Sequence, residues 1–263
     1  MMTRAIKAEF RKLFTTRLWW GMAIGIFLAG AAMAALFAFM VTASTPGAEG
    51  TPQGTKSQMA SLVYTGGLSM AYVLTMTIGV LSIGQEYRHQ TITSTLLAVP
   101  RRATAMIAKV ISLLGIGAFY GIISLIGSVA VGASILASKG FSPFPGSDVF
   151  RTLALSLLVL GLWALIGLGA GILMKNQVTA LLVMIGAAWI VEPLASLGLS
   201  FVSWGSKIVP YLPSAATSAI VNQPSQSPTV HRLSWWAGAL VLIGYAAVLT
   251  ILGMIRVQRS DVS

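Results

Sequence analysis

The chain has 263 residues, of which 56% are hydrophobic and 9% are charged. Soluble globular domains carry about 25% charged residues, so the soluble class is excluded. The net charge of +11 suggests nucleic-acid binding. However, the basic residues separate apolar runs instead of gathering on one face, which is typical of a membrane protein that is oriented by charge. With no cysteine and two histidines, neither a disulfide framework nor a metal centre is expected.

Six apolar runs are long enough to cross the roughly 30 Å of bilayer hydrocarbon, which takes about 20 helical residues. They lie near residues 18–41, 62–84, 107–136, 152–174, 178–199 and 235–255. The sequence therefore predicts an all-α integral membrane protein with one transmembrane domain over residues 1–263. Aromatic residues and prolines over 200–234 predict an extracellular or re-entrant loop, in which Ser214 caps a short helix.

The distribution of lysine and arginine predicts the orientation. With the N-terminus inside, the inner segments hold twelve of these residues and the outer segments hold five, which are Lys56, Lys139, Arg151, Lys207 and Arg232. This bias follows the positive-inside rule, so both termini are expected in the cytoplasm. The first apolar run is longer than the 7–15 residues of a signal peptide, so we expect it to be retained.

The stretch "MTRAIKAEFRKLFTTR" (2–17) precedes the first run. Its apolar residues recur at three- and four-residue spacing, and they are Met2, Ile6, Phe10, Leu13 and Phe14. Arg11 and the other basic residues fall largely on the opposite side. This pattern predicts a basic amphipathic helix in the plane of the membrane interface. Such a helix either transmits movement to the first span or only anchors the chain.

The most polar stretch, "GQEYRHQTITSTLLAVPRR" (84–102), lies between the second and third runs. Apolar residues at helical spacing predict a short cytoplasmic helix with one apolar face, and they are Ile92, Leu96, Leu97 and Val99. Pro100 ends this helix because it disfavours the helical conformation at the preceding residue. Glu86 is expected at the helix start, where it pairs with Arg88 or with a basic residue of the N-terminal helix. The alternative is a plain loop whose charges only orient the chain.

This organisation resembles the permease subunits of type-two ABC exporters, and the resemblance covers essentially the whole chain. It is carried by the order of Glu86, Leu97, Pro100, Arg101 and Lys109. "EPL" (192–194) and "YLP" (211–213) are similar to the actinobacterial members of that family.

The resemblance implies that 86–100 is a coupling helix docked on a separate cytoplasmic ATPase. Its contact residues would be Glu86, Arg88, Ile92, Leu96, Leu97, Val99, Pro100 and Arg101. It implies that 2–17 is a connecting helix that acts through Ile6, Phe10, Arg11, Leu13 and Phe14, and that Glu86 joins the two helices.

The same resemblance implies two permease chains, identical or related, and two ATPase chains in a cell membrane. ATP and magnesium would bind to the ATPase, so this chain is expected to be no enzyme and to hold no cofactor. Its cargo would be a hydrophobic or amphipathic compound such as a drug, antibiotic, peptide or lipid.

Two features are candidates for the transport pathway. The second run carries Ser69, Tyr72 and Met76 on one helical stripe, with Thr75 nearby, and this pattern suits either an adaptable cavity or ordinary helix packing. Glu192 is the one acid within a predicted span, and intramembrane carboxylates are functional candidates. Its expected role is an outer gate, a partner for a cationic substrate, or a cap on a helix end.

Two other functions remain open. A secondary transporter would couple to protons through Glu192, although the sequence has no clear broken inverted repeat. A membrane scaffold or sensor would transport nothing. An integral membrane enzyme is disfavoured because its acids would cluster, whereas the six acids here are dispersed.

Overall fold

A computed structural model describes residues 2–43, 54–88, 102–174, 176–202, 204–223 and 232–260. Every regular element within these ranges is helical. In hydrocarbon a helix satisfies its own backbone hydrogen bonds, which explains why long apolar runs adopt it. Six of the described helical stretches are long and apolar enough to cross a membrane. The predicted all-α membrane fold with six spans is therefore confirmed.

The helices are α1 (Met2–Phe14), α2 (Leu18–Ala43), α3 (Lys56–Thr65), α4 (Leu68–Arg88), α5 (Arg102–Ser138), α6 (Ser147–Leu173), α7 (Gln177–Gly186), α8 (Glu192–Ser200), α9 (Gly205–Ile208), α10 (Pro213–Ile220) and α11 (Trp235–Ser260). A π-helical turn at Ala187–Val191 joins α7 to α8, and a 3₁₀ turn at Val209–Tyr211 follows α9.

Helix α6 is the centre of the bundle, and α4, α5 and α11 pack directly against it. Helix α2 packs mainly on α5. The fifth span, α7 to α8, lies at the periphery and exposes apolar side chains such as Leu182 and Leu194. The bundle therefore has a buried fourth span and an apolar fifth span that faces outward.

The second predicted run, 62–84, differs from the structure because it is divided between two helices. Helix α3 begins with a capping box in which the Thr55 and Gln58 side chains each accept the other residue's backbone N–H. It ends before Gly66 and Gly67. A Cβ atom at Gly67 would lie 3.0 Å from the Cα atom of Gly30 in α2. The break therefore falls where two backbones approach closely.

Helices α4 and α6 cross at very short range through two glycines. A Cβ atom at Gly79 would lie 2.0 Å from the carbonyl oxygen of Ala164, and one at Gly167 would lie 2.0 Å from that of Met76. Small residues permit such close backbone contact between membrane helices. This crossing fixes the second span against the centre of the bundle.

The fifth span continues through Pro193, which cannot donate a helical hydrogen bond and whose ring crowds the carbonyl one turn earlier. The π-helical turn at Ala187–Val191 lies immediately before it. An extra residue in a turn accommodates the missing bond, and π-turns occur often at functional sites. The span therefore changes from α-helical to π-helical hydrogen bonding just before Glu192 and continues as a helix beyond it.

Candidate functional site

Four charged side chains meet at the end of the bundle where α1 lies. The Lys12 ammonium is 2.7 Å from Glu9 Oε1 and 2.6 Å from Glu86 Oε1. The Lys109 ammonium is 2.7 Å from Glu9 Oε2 and 2.9 Å from Glu86 Oε1. Each ion thus contacts two ions of opposite sign. This ionic cluster joins α1 to α4 and α5.

Two members of the ionic cluster are deeply buried, because Glu86 is 5% exposed and Lys109 is 4% exposed. Buried ions lose their hydration, and only good geometry and further hydrogen bonds compensate for that loss. The three donors of the Lys109 ammonium are directed at Glu9, Glu86 and the Ser82 carbonyl oxygen at 3.4 Å. The cluster is therefore fully paired at its buried centre.

The charges of the ionic cluster shift the titration of its α1 members. Burial acts to raise the pKa of Glu9, but the ion pairs with Lys109 and Lys12 outweigh it and hold this pKa below the ordinary 4.5. Burial acts to lower the pKa of Lys12, while hydrogen bonds to Glu86 and Glu9 raise it above 10.5. Both residues are therefore ionised at neutral pH.

These shifts predict how stability depends on pH. The stabilisation that the ionised Glu9 gives to the folded state is present above its unfolded pKa of 4.5, and it is lost as the pH falls through the lower folded value. The stabilisation that the charged Lys12 gives to the folded state is present below its unfolded pKa of 10.5, and it is lost as the pH rises through the higher folded value. The difference in Tm between the wild type and Glu9→Gln should be constant from roughly pH 5.5 to 9.5 and shrink in acid. A difference that grows as the pH falls would contradict this assignment.

The predicted apolar face of α1 packs on α5. The Phe10 ring covers Gly115, where an added Cβ atom would lie 3.0 Å from it. The Phe14 ring forms T-shaped contacts with the rings of Trp19 and Phe119, each with centroids 5.5 Å apart. Ile6 and Leu13 are half-buried, and Arg11 is exposed. Four of the five predicted connecting-helix residues therefore lie on the packed side or at its edge.

Glu86 lies in the last turn of α4, whereas the sequence placed it at the start of the coupling helix. A carboxylate is unfavourable near a helix C-terminus, and the two lysines offset that effect. Arg88 is the last residue of α4. The other predicted coupling residues lie outside the described part of the chain, and they are Ile92, Leu96, Leu97, Val99, Pro100 and Arg101. Their docking role stays a prediction.

Glu9, Lys12 and Lys109 were not predicted to be site residues. Two of them nevertheless show a recognisable sequence signal, which is a charge within an apolar pattern. Glu9 is the only acid in α1, and it lies beside the apolar positions of that helix. Lys109 is the only charge inside the third predicted run. A charge that interrupts an apolar face or span needs a partner, so both positions were candidates for pairing.

The predicted pathway stripe of α4 has mixed surroundings. Ser69 is exposed, while Tyr72, Thr75 and Met76 are buried. The Tyr72 ring stacks on the Trp163 ring with centroids 4.1 Å apart. Within the single chain, three of the four residues thus pack inside the bundle, and the pathway role of the stripe stays a prediction.

Glu192 anchors the segment that follows the fifth span. The carboxylate of Glu192 is 7% exposed and accepts a hydrogen bond from the backbone N–H of Ser214. The N-cap of α10 is Leu212, which has no side-chain bond, so the predicted cap by Ser214 is wrong. Because Pro213 occupies the first helical position and has no N–H, the first free N–H of α10 belongs to Ser214. The carboxylate of Glu192 in the fifth span accepts a hydrogen bond from it.

Helix α10 extends into the bundle from the end opposite α1. The Trp163 indole N–H donates to the Thr217 hydroxyl over 2.9 Å. Trp163 lies sixteen residues after Ser147, or about 24 Å along α6. The Tyr245 hydroxyl donates to the Tyr211 carbonyl over 3.2 Å. The segment after the fifth span is therefore held by groups of several spans.

Residues 5–203 match the model of a protein family that is described as "ABC-2 family transporter protein". The match begins within α1 and includes the ionic cluster, the fifth span and Glu192. No match was found among curated proteins. Within the described residues, no group of three or more His, Asp or Glu side chains could hold a metal ion. Since the family match spans most of a chain with six apolar helices, the protein is a multi-pass membrane transport component that belongs to the ABC-2 transporter family.

Proposed function

We propose that the chain is the permease subunit of an ATP-driven exporter in the cell membrane, with both termini in the cytoplasm. A separate ATPase binds ATP and magnesium and docks on the segment from 86 to 100. The observation that supports this proposal most strongly is the ionic cluster, which ties α1 to the last turn of α4 immediately before that segment.

The ionic cluster mechanically links the end of α4 to both α1 and α5. A displacement of the segment after Arg88 would move Glu86, and through its two lysines it would move α1 and α5 together. Lys109 is only 4% exposed, so solvent would compensate poorly for a lost ionic partner, and this connection is expected to be stiff. A coupling helix that docks on an ATPase needs such a connection to the spans.

Two permease chains, identical or related, enclose the pathway in this proposal. ATP binding draws the two coupling helices together, the inner ends of the spans follow, and the outer gate opens. The peripheral fifth span and the exposed Ser69 are the surfaces that a second chain would face. The apolar character of the fifth span suits a hydrophobic or amphipathic cargo, such as a drug, antibiotic, peptide or lipid.

Glu192 serves as a structural part of the outer gate by holding α10. Replacing Glu192 by leucine leaves the Ser214 N–H without its acceptor, so we expect a stability loss of about 1–3 kcal/mol together with loss of export. Glu192→Gln retains an acceptor oxygen and should retain most of the activity. Thermal unfolding and dye efflux would measure both effects. Full loss of export in a stable Glu192→Gln protein would instead favour proton coupling through this carboxylate.

Efflux energetics test the proposed function against the secondary-transporter alternative. Cells that overproduce the chain with its ATPase are loaded with ethidium, a cationic amphiphile, and efflux is followed by fluorescence. Depletion of ATP should stop the additional efflux, while a protonophore added at constant ATP should leave it unchanged. Efflux that follows the proton gradient would support a secondary transporter. An assembled complex that exports no tested amphiphile would favour a scaffold.

A further inference from the structure

A second polar site lies at the opposite end of the bundle from the ionic cluster. It is a cavity of about 220 Å³ between the start of α6, the end of α10 and the start of α11. Its polar and aromatic lining residues include Asp148, Arg151, Thr152, Asn222, Arg232 and Trp235. Pockets that enclose drug-sized ligands measure roughly 300–1,000 Å³. The cavity is therefore too small for such a cargo, but it suits one polar group.

The two arginines of this cavity are held in place without an acidic partner among the described residues. Arg232 donates to the Ser218 carbonyl oxygen over 2.7 Å and to Asn222 Oδ1 over 3.2 Å. The Arg151 guanidinium lies 5.6 Å from the centroid of the Trp235 ring. Neither forms an ion pair within the described part of the chain. A guanidinium has five donors, so most of them remain available to an anion.

Backbone geometry also builds the cavity. Asn222 has a φ of 52°, a left-handed conformation that asparagine tolerates and that commonly ends helices. It turns the chain after α10, so that its side-chain oxygen meets Arg232. Guanidinium groups that are positioned in advance recognise phosphate oxygens well, because their planar fork matches the anion.

Asp148 adds a negative charge to the same cavity. It lies in the first turn of α6, where a carboxylate is favourable, and it forms no ion pair with Arg151 or Arg232. An ionised carboxylate only accepts hydrogen bonds. A complementary ligand therefore carries both an anionic group for the arginines and a donor group for Asp148.

The surroundings indicate that the ligand comes from the bilayer. Trp235 and Trp236 begin a span and are 42% and 56% exposed, and tryptophan is enriched at the level of lipid headgroups. Phe150, in the first turn of α6, is 58% exposed. The cavity thus opens at the interface, in the outer leaflet in the orientation proposed above.

We propose that this cavity binds the headgroup of phosphatidylethanolamine, with the phosphate on Arg151 and Arg232 and the ammonium on Asp148. Phosphatidylcholine has the same phosphate and net charge, but its trimethylammonium cannot donate hydrogen bonds. The site therefore distinguishes the two lipids through Asp148. This inference concerns the end of the bundle away from the ATPase and does not depend on the identity of the cargo.

Lipid-dependent thermal unfolding of the full-length protein in detergent tests the proposal. Phosphatidylethanolamine should raise the Tm at lower mole fractions than phosphatidylcholine. Arg151→Gln and Asp148→Asn should each raise the half-saturating mole fraction of phosphatidylethanolamine at least about tenfold. Arg151→Lys keeps the positive charge but lacks the planar guanidinium, so its half-saturating mole fraction should lie between those of Arg151→Gln and the wild type. Lys139→Gln removes a charge at the same end of the bundle and should match the wild type.

Two results would overturn the proposal. If both lipids raise the Tm equally in the wild type and in every variant, the effect belongs to the bulk lipid and not to this cavity. If free phosphoethanolamine at the same concentration reproduces the full effect, the cavity binds a soluble phosphate ester and not a lipid. Because Arg151 makes no hydrogen bond within the described chain, Arg151→Gln is expected to remain folded.

Discussion

Replacing Glu86 by alanine is expected to loosen α1 from the bundle and to abolish ATP-driven export. Among the described residues, Lys12 then loses its only ionic partner outside α1, and Lys109 keeps Glu9 as its one ionic partner. Breaking a buried ion pair typically lowers stability by 3–5 kcal/mol. Because Lys109 retains its ion pair with Glu9, we expect a loss of about 2–3 kcal/mol here. Thermal unfolding in detergent measures the stability, and ATP-dependent ethidium efflux measures the function.

Two controls separate this effect from a general loss of charge. Lys7→Ala removes an exposed charge from α1 and should change neither stability nor efflux measurably. In a double-mutant cycle, Glu86→Ala and Lys12→Ala should lower stability by less together than the sum of their separate effects, because they remove the same contact. Additive effects would contradict a direct pairing of these two residues.

Replacing Gly167 by alanine should force the second and fourth spans apart. The added methyl group would lie 2.0 Å from the Met76 carbonyl oxygen, which belongs to a helix backbone and cannot rotate away. Overpacking of a tight core usually lowers stability by 1–3 kcal/mol, and a backbone obstacle places this variant at about 3 kcal/mol or more. Thermal unfolding and the yield of folded protein after extraction would show the loss.

Gly244→Ala is the matched control for this crossing. Gly244 lies within α11, and beyond the adjacent backbone of that helix no atom of the described chain lies within 4 Å of an added Cβ atom. Alanine is favoured over glycine in a helix by up to about 1 kcal/mol, so this variant should be neutral or slightly more stable. Equal losses for Gly167→Ala and Gly244→Ala would contradict the close contact of α4 and α6.

The features that depend on local pattern could be predicted from the sequence. Six spans follow from the lengths of the apolar runs, and the helix at Met2–Phe14 agrees with the periodicity of Ile6, Phe10 and Leu13. The division between α3 and α4 could not be predicted, because Gly66 and Gly67 interrupt an apolar run without changing its hydropathy. Their role depends on the approach of Gly30 from another helix.

The other features that could not be predicted from the sequence depend on contacts between distant segments. The sequence offered Arg88 or a basic residue of the N-terminal helix as partners for Glu86, and Lys12 of that helix is 2.6 Å from it. The closing contact between Glu9 and Lys109 spans one hundred residues, and no local spacing indicates it. Likewise, Glu192 was a recognisable candidate, but its bond to Ser214 depends on how α10 returns into the bundle.

Purification of the tagged chain from its native host in mild detergent, with identification of the proteins that accompany it, tests the central claim most directly. We expect a P-loop ATPase to copurify with the wild type. It should be lost when Leu96 and Leu97 are both changed to aspartate, and reduced by Glu86→Ala. If the wild-type chain emerges alone under several gentle conditions, or if the aspartate variant retains the ATPase, the proposed coupling through 86–100 is contradicted.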